Sequence, residues 1–332
     1  MTDLVEIARG LFAEGKGLLA ADESVKSADE RLALYGIEGG EESRRKFRDL
    51  FLAAPGAESY LSGTILFEET LTQKSESGVP FPELLASNGI APGIKVDEGT
   101  EPFPESPHEL ITKGLIGLPE RLAPYRAAGA VFTKWRAVIG IDGDHVPSAP
   151  ALVENAKRLA SFARICQEAG LVPILEPEVL RAGKHSRLRA KGAIRDTLMV
   201  LFKAVEDQVA DRTALILKTS MVVSGSDSSG VDTPEQVALD TLDVLMETVP
   251  KDVPGILFLS GGQSFEVATA NLQAIVREGK KRGAPWPLTF CFARALQEDA
   301  LKIWQGKEEN VEAARAAYLG HLTLVSSAAR GQ

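Results

Sequence analysis

Eight short apolar runs recur along this chain, and helical patterns fill most of the gaps between them. The runs are Gly17–Asp22, Leu61–Phe67, Ala91–Asp97, Ala130–Arg136, Leu171–Glu176, Ala214–Lys218, Gly255–Ser260 and Pro287–Arg294. Each is short enough for a strand buried on both faces. The gaps carry helix start signals. Ser148 opens a helix running to Ala169, with Gly170 as its stop. Thr233 stands as an N-cap before Pro234 at the first helical position. Further helical patterns cover 187–211 and 264–280. Strands alternating with helices predict parallel βαβ units. Eight of them predict an α/β chain closed into a (β/α)8 TIM barrel, with an outer ring of helices, rather than an open doubly wound sheet. The chain is read as a single domain, 1–332. N-terminal helices fall at about 2–14 and 26–54, and a C-terminal helix at about 296–325. The first gap is long enough for two helices. The stretch 97–117 is read as a Pro-rich loop.

Composition limits what such a barrel handles. The 37 basic and 46 acidic residues give a net charge of −9, which argues against a general nucleic-acid binder. An anionic substrate therefore needs a focused basic site. Two cysteines, Cys166 and Cys291, suggest no disulfide framework and a reducing compartment. The first residues lack a basic region followed by an apolar block, and no apolar run is long enough to span a membrane. A cytoplasmic protein without nucleic-acid or membrane partners is expected.

The ends of the runs carry the chemistry. Asp22 ends the first, Lys95 and Asp97 the third, and Lys134 and Arg136 the fourth. Glu176 and Glu178 end the fifth, Lys218 the sixth, Ser260 the seventh and Arg294 the eighth. In a barrel these C-terminal ends ring one mouth, where active sites of the fold sit. Lys218 closes the apolar run from Ala214. A free lysine titrates near pKa ~10.4, and burial and nearby cations favour its neutral, nucleophilic form. Lys134 and Lys95 supply such cations, while Glu176 and Asp22 are carboxylates able to move protons. The set suits imine formation with a ketone, then cleavage of a neighbouring bond, the protonated imine acting as electron sink. Ser260-Gly261-Gly262-Gln263 brings backbone N–H groups toward a ligand just before a helix start. With Arg294 on the next strand, it is a candidate phosphate site.

These residues stand in motifs that resemble a known family. They are Gly17–Ser24 (GLLAADES), Gly93–Asp97 (GIKVD), Lys134–Arg136 (KWR), Glu176–Glu178 (EPE), Leu217–Val222 (LKTSMV), Leu259–Gln263 (LSGGQ) and Arg294–Gln297 (RALQ). In this order, over nearly the whole chain, they resemble the class I, Schiff-base fructose-bisphosphate aldolases. The resemblance implies that Lys218 forms the Schiff base with the C2 ketone. It implies that Glu176 is acid and base in carbinolamine dehydration, with Lys134 placing charge beside it. Asp22 then helps remove the C4 hydroxyl proton, and Glu178 tunes the charges around the lysines. Ser260, Gly261 and Arg294 hold the C1 phosphate. Ser24, Ser27, Lys95 and Arg136 serve the sugar hydroxyls and the C6 phosphate, and Arg31 joins the phosphate-binding set. No metal and no cofactor are implied. The implied partners are sugar phosphates and further copies of the chain, a tetramer being common among relatives. The other readings are a Schiff-base aldolase for tagatose 1,6-bisphosphate or fructose 1-phosphate, and a sugar-phosphate-binding scaffold without catalysis. A pure binder has no need for a buried lysine beside two acids.

Three positions depart from the family pattern. Ala293 stands where many relatives have Gly, so a positive φ there would be strained. Glu30 replaces a basic residue and weakens one phosphate grip. The sequence ends at Gln332 without the tyrosine-ended tail that animal members use to protonate the enamine. Another group, or water, is expected in that step.

Other features carry plainer expectations. The histidines, at 108, 145, 185 and 321, show no ligand spacing and are read as surface or packing residues. The basic stretch 181–191 is read as a solvated loop and helix start, and Ser224–Gly230 as a mobile loop. Trp135, between Lys134 and Arg136, must point to the opposite face of its strand, toward the helices. Cys291 flanks the site without a base to make it a nucleophile.

Overall fold

The computed structural model of the chain describes residues 3–332. The apolar runs form β1 (Gly17–Ala21), β2 (Leu61–Leu66), β3 (Ala91–Lys95), β4 (Phe132–Ile139), β5 (Val172–Val179), β6 (Ile216–Thr219), β7 (Ile256–Phe258) and β8 (Leu288–Phe292). They pair in chain order, all parallel, and β8 closes onto β1. The fold is an eight-stranded (β/α)8 TIM barrel, surrounded by helices.

Period-two alternation sorts the strand residues into two cores. One apolar cluster fills the interior and includes Leu18, Ala20, Ile65, Phe132, Ile174, Ile216, Leu257 and Cys291. The other joins the outer strand faces to the helices and includes Leu19, Ala21, Trp135, Leu175, Leu217 and Phe290. Trp135 lies in this outer layer, its ring centroid 5.5 Å from that of Phe162 on the helix Ala149–Glu168. Phe132 needs unusual room inside. A Cβ on Gly93, its register partner on β3, would overlap its ring. The helix Leu4–Gly10 and the following Leu11 pack Ala8 and Leu11 into the inner cluster and plug the N-terminal end.

Side-chain caps fix the starts of the outer helices. Ser148, Ser186 and Ser264 each accept a backbone N–H three residues on. Thr233 and Gln236 form a reciprocal capping box.

Several boundaries differ from the sequence reading. The segment 26–54 is two helices, Val25–Ala33 and Glu41–Leu52, parted by a turn that ends on Gly40. The segment 296–325 is also two, Arg294–Trp304 and Val311–Ala329, broken where Gln305 and Gly306 both adopt positive φ. The stretch 97–117 is not a plain loop. It holds an antiparallel hairpin, Thr100–Phe103 with Ser106–Thr112, docked through Thr112 Oγ1 donating to the Arg136 carbonyl at 2.8 Å. The N-terminal helix expected at about 2–14 is Leu4–Gly10, and residue 2 lies outside the described residues. Among the described residues no helix is long and apolar enough to cross a membrane.

Candidate active site

One strand step separates the apolar interior from the chemistry. Two residues beyond Ala20, Phe132, Ile174 and Ile216, on the same inward face, stand Asp22, Lys134, Glu176 and Lys218. The four side chains form one connected chain of charge. Lys134 Nζ lies 2.6 Å from Asp22 Oδ2 and 3.1 Å from Glu176 Oε2. Lys218 Nζ lies 2.8 Å from Glu176 Oε1. Lys134, Glu176 and Lys218 are each 4% exposed or less. Two ammonium groups face two carboxylates, so the formal charge of this layer cancels, as burial of charge requires.

The balance of burial and pairing sets the resting protonation. Burial opposes every charge here, and the pairs overcome it. The Asp22 carboxyl would rise on burial, but the Lys134 and Lys218 charges bring it down to about 2. Glu176 is likewise pushed up by burial and, on balance, held below its usual value by Lys134 and Lys218. Lys134 is held above the usual lysine value by Asp22 and Glu176, in spite of burial. Lys218 departs from the sequence expectation. Burial and the Lys134 charge do pull its ammonium down, but the Cys291 thiol, once it ionises at alkaline pH, and the Glu176 carboxylate outweigh them, and the group sits above its ordinary value. The resting Lys218 is therefore an ammonium paired with Glu176, and its proton must leave before the amine can attack. Cys291 is buried, which pushes its thiol up to about 11 against the pull of Lys218. It is a neutral neighbour, not a thiolate nucleophile.

A second group of charges rings this centre. Lys95 Nζ pairs with Asp97 Oδ1 at 2.7 Å, and Asp97 Oδ2 accepts the Arg136 backbone N–H at 3.2 Å. The Arg136 guanidinium is paired with Glu178. Glu178 thus contacts Arg136, not the lysines it was expected to tune. Ser24 caps the helix Val25–Ala33, accepting the Ser27 N–H at 3.3 Å, while the two hydroxyls meet at 3.0 Å.

Beyond β7, Gly261 and Gly262 both take positive φ, the conformation that glycine adopts without strain. Gln263 donates back to the Ser260 carbonyl at 2.8 Å and accepts from Asn271 at 2.6 Å, which ties the turn to the helix Phe265–Arg282. Arg294 is exposed at the start of the helix after β8. Ala293 has φ −112°, so it carries no left-handed strain.

Arg31 is buried and committed to side-chain partners. Its guanidinium is buried on Glu23 Oε1 and Gln297 Oε1, both at 2.6 Å. Sequence reasoning overlooked Glu23 as its partner, and overlooked the buried Arg48, which donates to the Glu23 carbonyl at 2.8 Å. Helical spacing marks position 48 as facing the core, but an arginine there reads as surface until its partners are known.

The basic stretch 181–191 is largely committed. Arg187 and Lys191 pair with Asp232, Asp240 and Asp243, and Arg189 donates to the Gly143 and Val146 carbonyls. The stretch from Ser224 is anchored rather than free. Gly225 and Ser226 N–H groups bond the carbonyls of His185 and Arg181 at 2.9 and 2.7 Å.

Comparison with known proteins agrees with this geometry. A family model described as fructose-bisphosphate aldolase class-I (glycolytic) matches residues 3–332. "Fructose-bisphosphate aldolase 6, cytosolic" of Arabidopsis thaliana is 47% identical over 329 residues, covering 99% of this chain and 91% of that protein. "Probable fructose-bisphosphate aldolase class 1" of Xanthomonas axonopodis pv. citri is 46% identical over 301 residues, covering 91% and 89%. A solved structure of fructose-bisphosphate aldolase from Plasmodium falciparum, in complex with TRAP and a small-molecule inhibitor, superposes with a TM-score of 0.96 at 42% identity, covering 99% of this chain and 94% of that one. The chain belongs to the class I fructose-bisphosphate aldolase family.

Proposed function

We infer that the barrel mouth performs the reversible aldol cleavage of fructose 1,6-bisphosphate to dihydroxyacetone phosphate and glyceraldehyde 3-phosphate, the step shared by glycolysis and gluconeogenesis. The carrying observation is the Lys218–Glu176 pair at 2.8 Å, joined through Lys134 to Asp22.

The reading assigns each group a step. Lys218 passes one proton to Glu176, leaving an amine and a carboxylic acid. The amine adds to the C2 ketone to give a carbinolamine. Glu176 protonates its departing hydroxyl, so that water leaves and a protonated imine forms. The C3–C4 electron pair then flows into the imine as the C4 hydroxyl proton passes to Asp22. Glyceraldehyde 3-phosphate departs and a neutral enamine stays on Lys218. Loss of the imine's charge removes a cation that favoured the ionised Asp22, so proton uptake there becomes easier as the bond breaks. One proton returns to C3, and one water hydrolyses the imine, releasing dihydroxyacetone phosphate. Lys134 remains charged throughout and keeps Asp22 and Glu176 from repelling each other. Ser260, Gly261 and Arg294 hold the C1 phosphate. Lys95, Arg136, Ser24 and Ser27 serve the hydroxyls and the C6 phosphate, with Glu178 orienting Arg136.

Borohydride reduction with dihydroxyacetone phosphate, followed by peptide mass mapping, tests the mechanism. A covalent adduct on Lys218 is expected, and an adduct elsewhere or none would sink it. Cleavage is expected to survive EDTA. The ratio of kcat/KM for fructose 1,6-bisphosphate to that for fructose 1-phosphate decides substrate preference. A cytoplasmic setting and a homotetramer belong to the same proposal. Names of plant relatives call them cytosolic, and light scattering of the purified protein reads the assembly.

A further inference from the structure

The turn after β1 carries Asp22, Glu23 and Ser24, and two arginines grip it from behind. Arg48, on the helix Glu41–Leu52, has a side chain with no exposure to solvent. Its Nη2 donates to the Glu23 backbone carbonyl at 2.8 Å, and its Nη1 lies 3.6 Å from Glu69. Glu69 is fixed in turn by Arg44 at 2.5 Å. Arg31, on the helix Val25–Ala33, holds the Glu23 carboxylate at 2.6 Å. The two guanidinium carbons stand 5.5 Å and 6.0 Å from the Phe47 ring centroid. Glu23 is thus held twice, by its carbonyl and by its carboxylate, from two helices.

Burying a guanidinium this fully is costly, and the protein meets little of the cost with hydrogen bonds. Among the described residues, Arg48 Nε and Nη1 have no hydrogen-bond partner. A leucine or methionine fills such a space at less cost. What a hydrocarbon cannot supply is a rigid planar donor aimed at one carbonyl. That carbonyl belongs to the residue next to Asp22.

We propose that Arg48 is a positioning residue for Asp22, fixing the chain just beyond it so that the carboxylate keeps its place against Lys134. The inference rests on Asp22 being the base for the C4 hydroxyl. Lys218 and Glu176 stand on β6 and β5. Imine formation therefore does not depend directly on the peptide that Arg48 holds, which reaches Glu176 only through Lys134. Bond cleavage does, because misplacing a reacting group by about 1 Å costs ~10²-fold in rate.

The test is Arg48→Lys, which keeps the charge and the stem but loses the planar fork. Single-turnover cleavage of fructose 1,6-bisphosphate, borohydride trapping with dihydroxyacetone phosphate, and the thermal midpoint are measured together. Cleavage is expected to fall about 10-fold to 100-fold while trapping changes by less than about twofold. Asp22→Asn, in the same assays, is expected to show the same split. If it does not, the assignment of Asp22 has failed, whatever Arg48 does. If Asp22→Asn shows the split but Arg48→Lys lowers both steps equally, or neither, Arg48 is a packing residue and the inference is overturned. Should Arg48→Lys not fold, Glu69→Gln takes its place, since it frees Arg48 on one side and leaves the groups around Glu23 intact. A selective loss of cleavage supports the inference, and an equal loss or none overturns it.

Discussion

Lys134→Met is the perturbation that most directly probes the charge layer. Methionine keeps the length and apolar stem of the lysine, so little cavity is made and the missing charge dominates. Asp22 then loses its 2.6 Å partner, and Glu176 loses one of two. In the intact site the Asp22 carboxyl titrates at about 2 against an ordinary 3.8. At about 1.4 kcal/mol per pH unit, that difference is worth ~2 kcal/mol of folded-state stability. Its sign follows from linkage. The folded value is depressed, so the contribution is fully present above 3.8 and is lost as pH falls toward 2. Without Lys134, burial is opposed only by the Lys218 and Lys95 charges, and the Asp22 carboxyl is expected to rise above its ordinary value. Removing one partner of a buried pair typically costs about 3–5 kcal/mol. The expected loss at pH 7 is therefore about 3 kcal/mol or more. It shrinks as pH falls from 7 to 4, because the variant recovers stability by protonating Asp22. Urea unfolding midpoints of both proteins at pH 7, 5.5 and 4 read this directly. A stability gap that stays flat with pH would refute the reasoning, since a packing defect does not titrate.

Other changes separate the roles of neighbouring residues. Glu176→Gln removes the group that takes the Lys218 proton, and the rate of borohydride-trapped imine is expected to fall about 10²–10⁴-fold, read by mass spectrometry. Arg294→Ala is expected to weaken dihydroxyacetone phosphate binding about 10-fold to 100-fold by titration calorimetry, the loss of one charge-assisted contact, and an unchanged affinity would dismiss the phosphate assignment. Trp135→Ala is expected to cost about 3–5 kcal/mol of stability with KM unchanged, because its ring packs on Phe162 in the outer core, and a raised KM at preserved stability would contradict that placement.

Strands and their order were legible because apolar runs and their spacing are local. Lys134, Glu176 and Lys218 were legible too, since each is the polar residue that interrupts an alternating inward face. Trp135 followed from the same alternation. Arg31 shows the limit. The family resemblance implies a phosphate-binding cation there, but its partners Glu23 and Gln297, 8 and 266 positions away in sequence, could not be read from the chain. The break at Gln305–Gly306 escaped the reading because helical periodicity continues on either side of a short turn, and the two helices that the first gap allows were run together as 26–54.

By itself the sequence determined that eight strands alternate with helices, and that their ends carry acids and amines. Side-chain alternation and charge at the end of a buried run need no partner to be seen. Only the tertiary structure decided which charges cancel. It paired Lys218 with Glu176 and joined Lys134 to both acids, so the resting nucleophile is an ammonium, not the free amine that burial alone suggested. It also gave the buried Arg48 its carbonyl. Protonation depends on distances between groups from different strands, and closure of the barrel sets those distances.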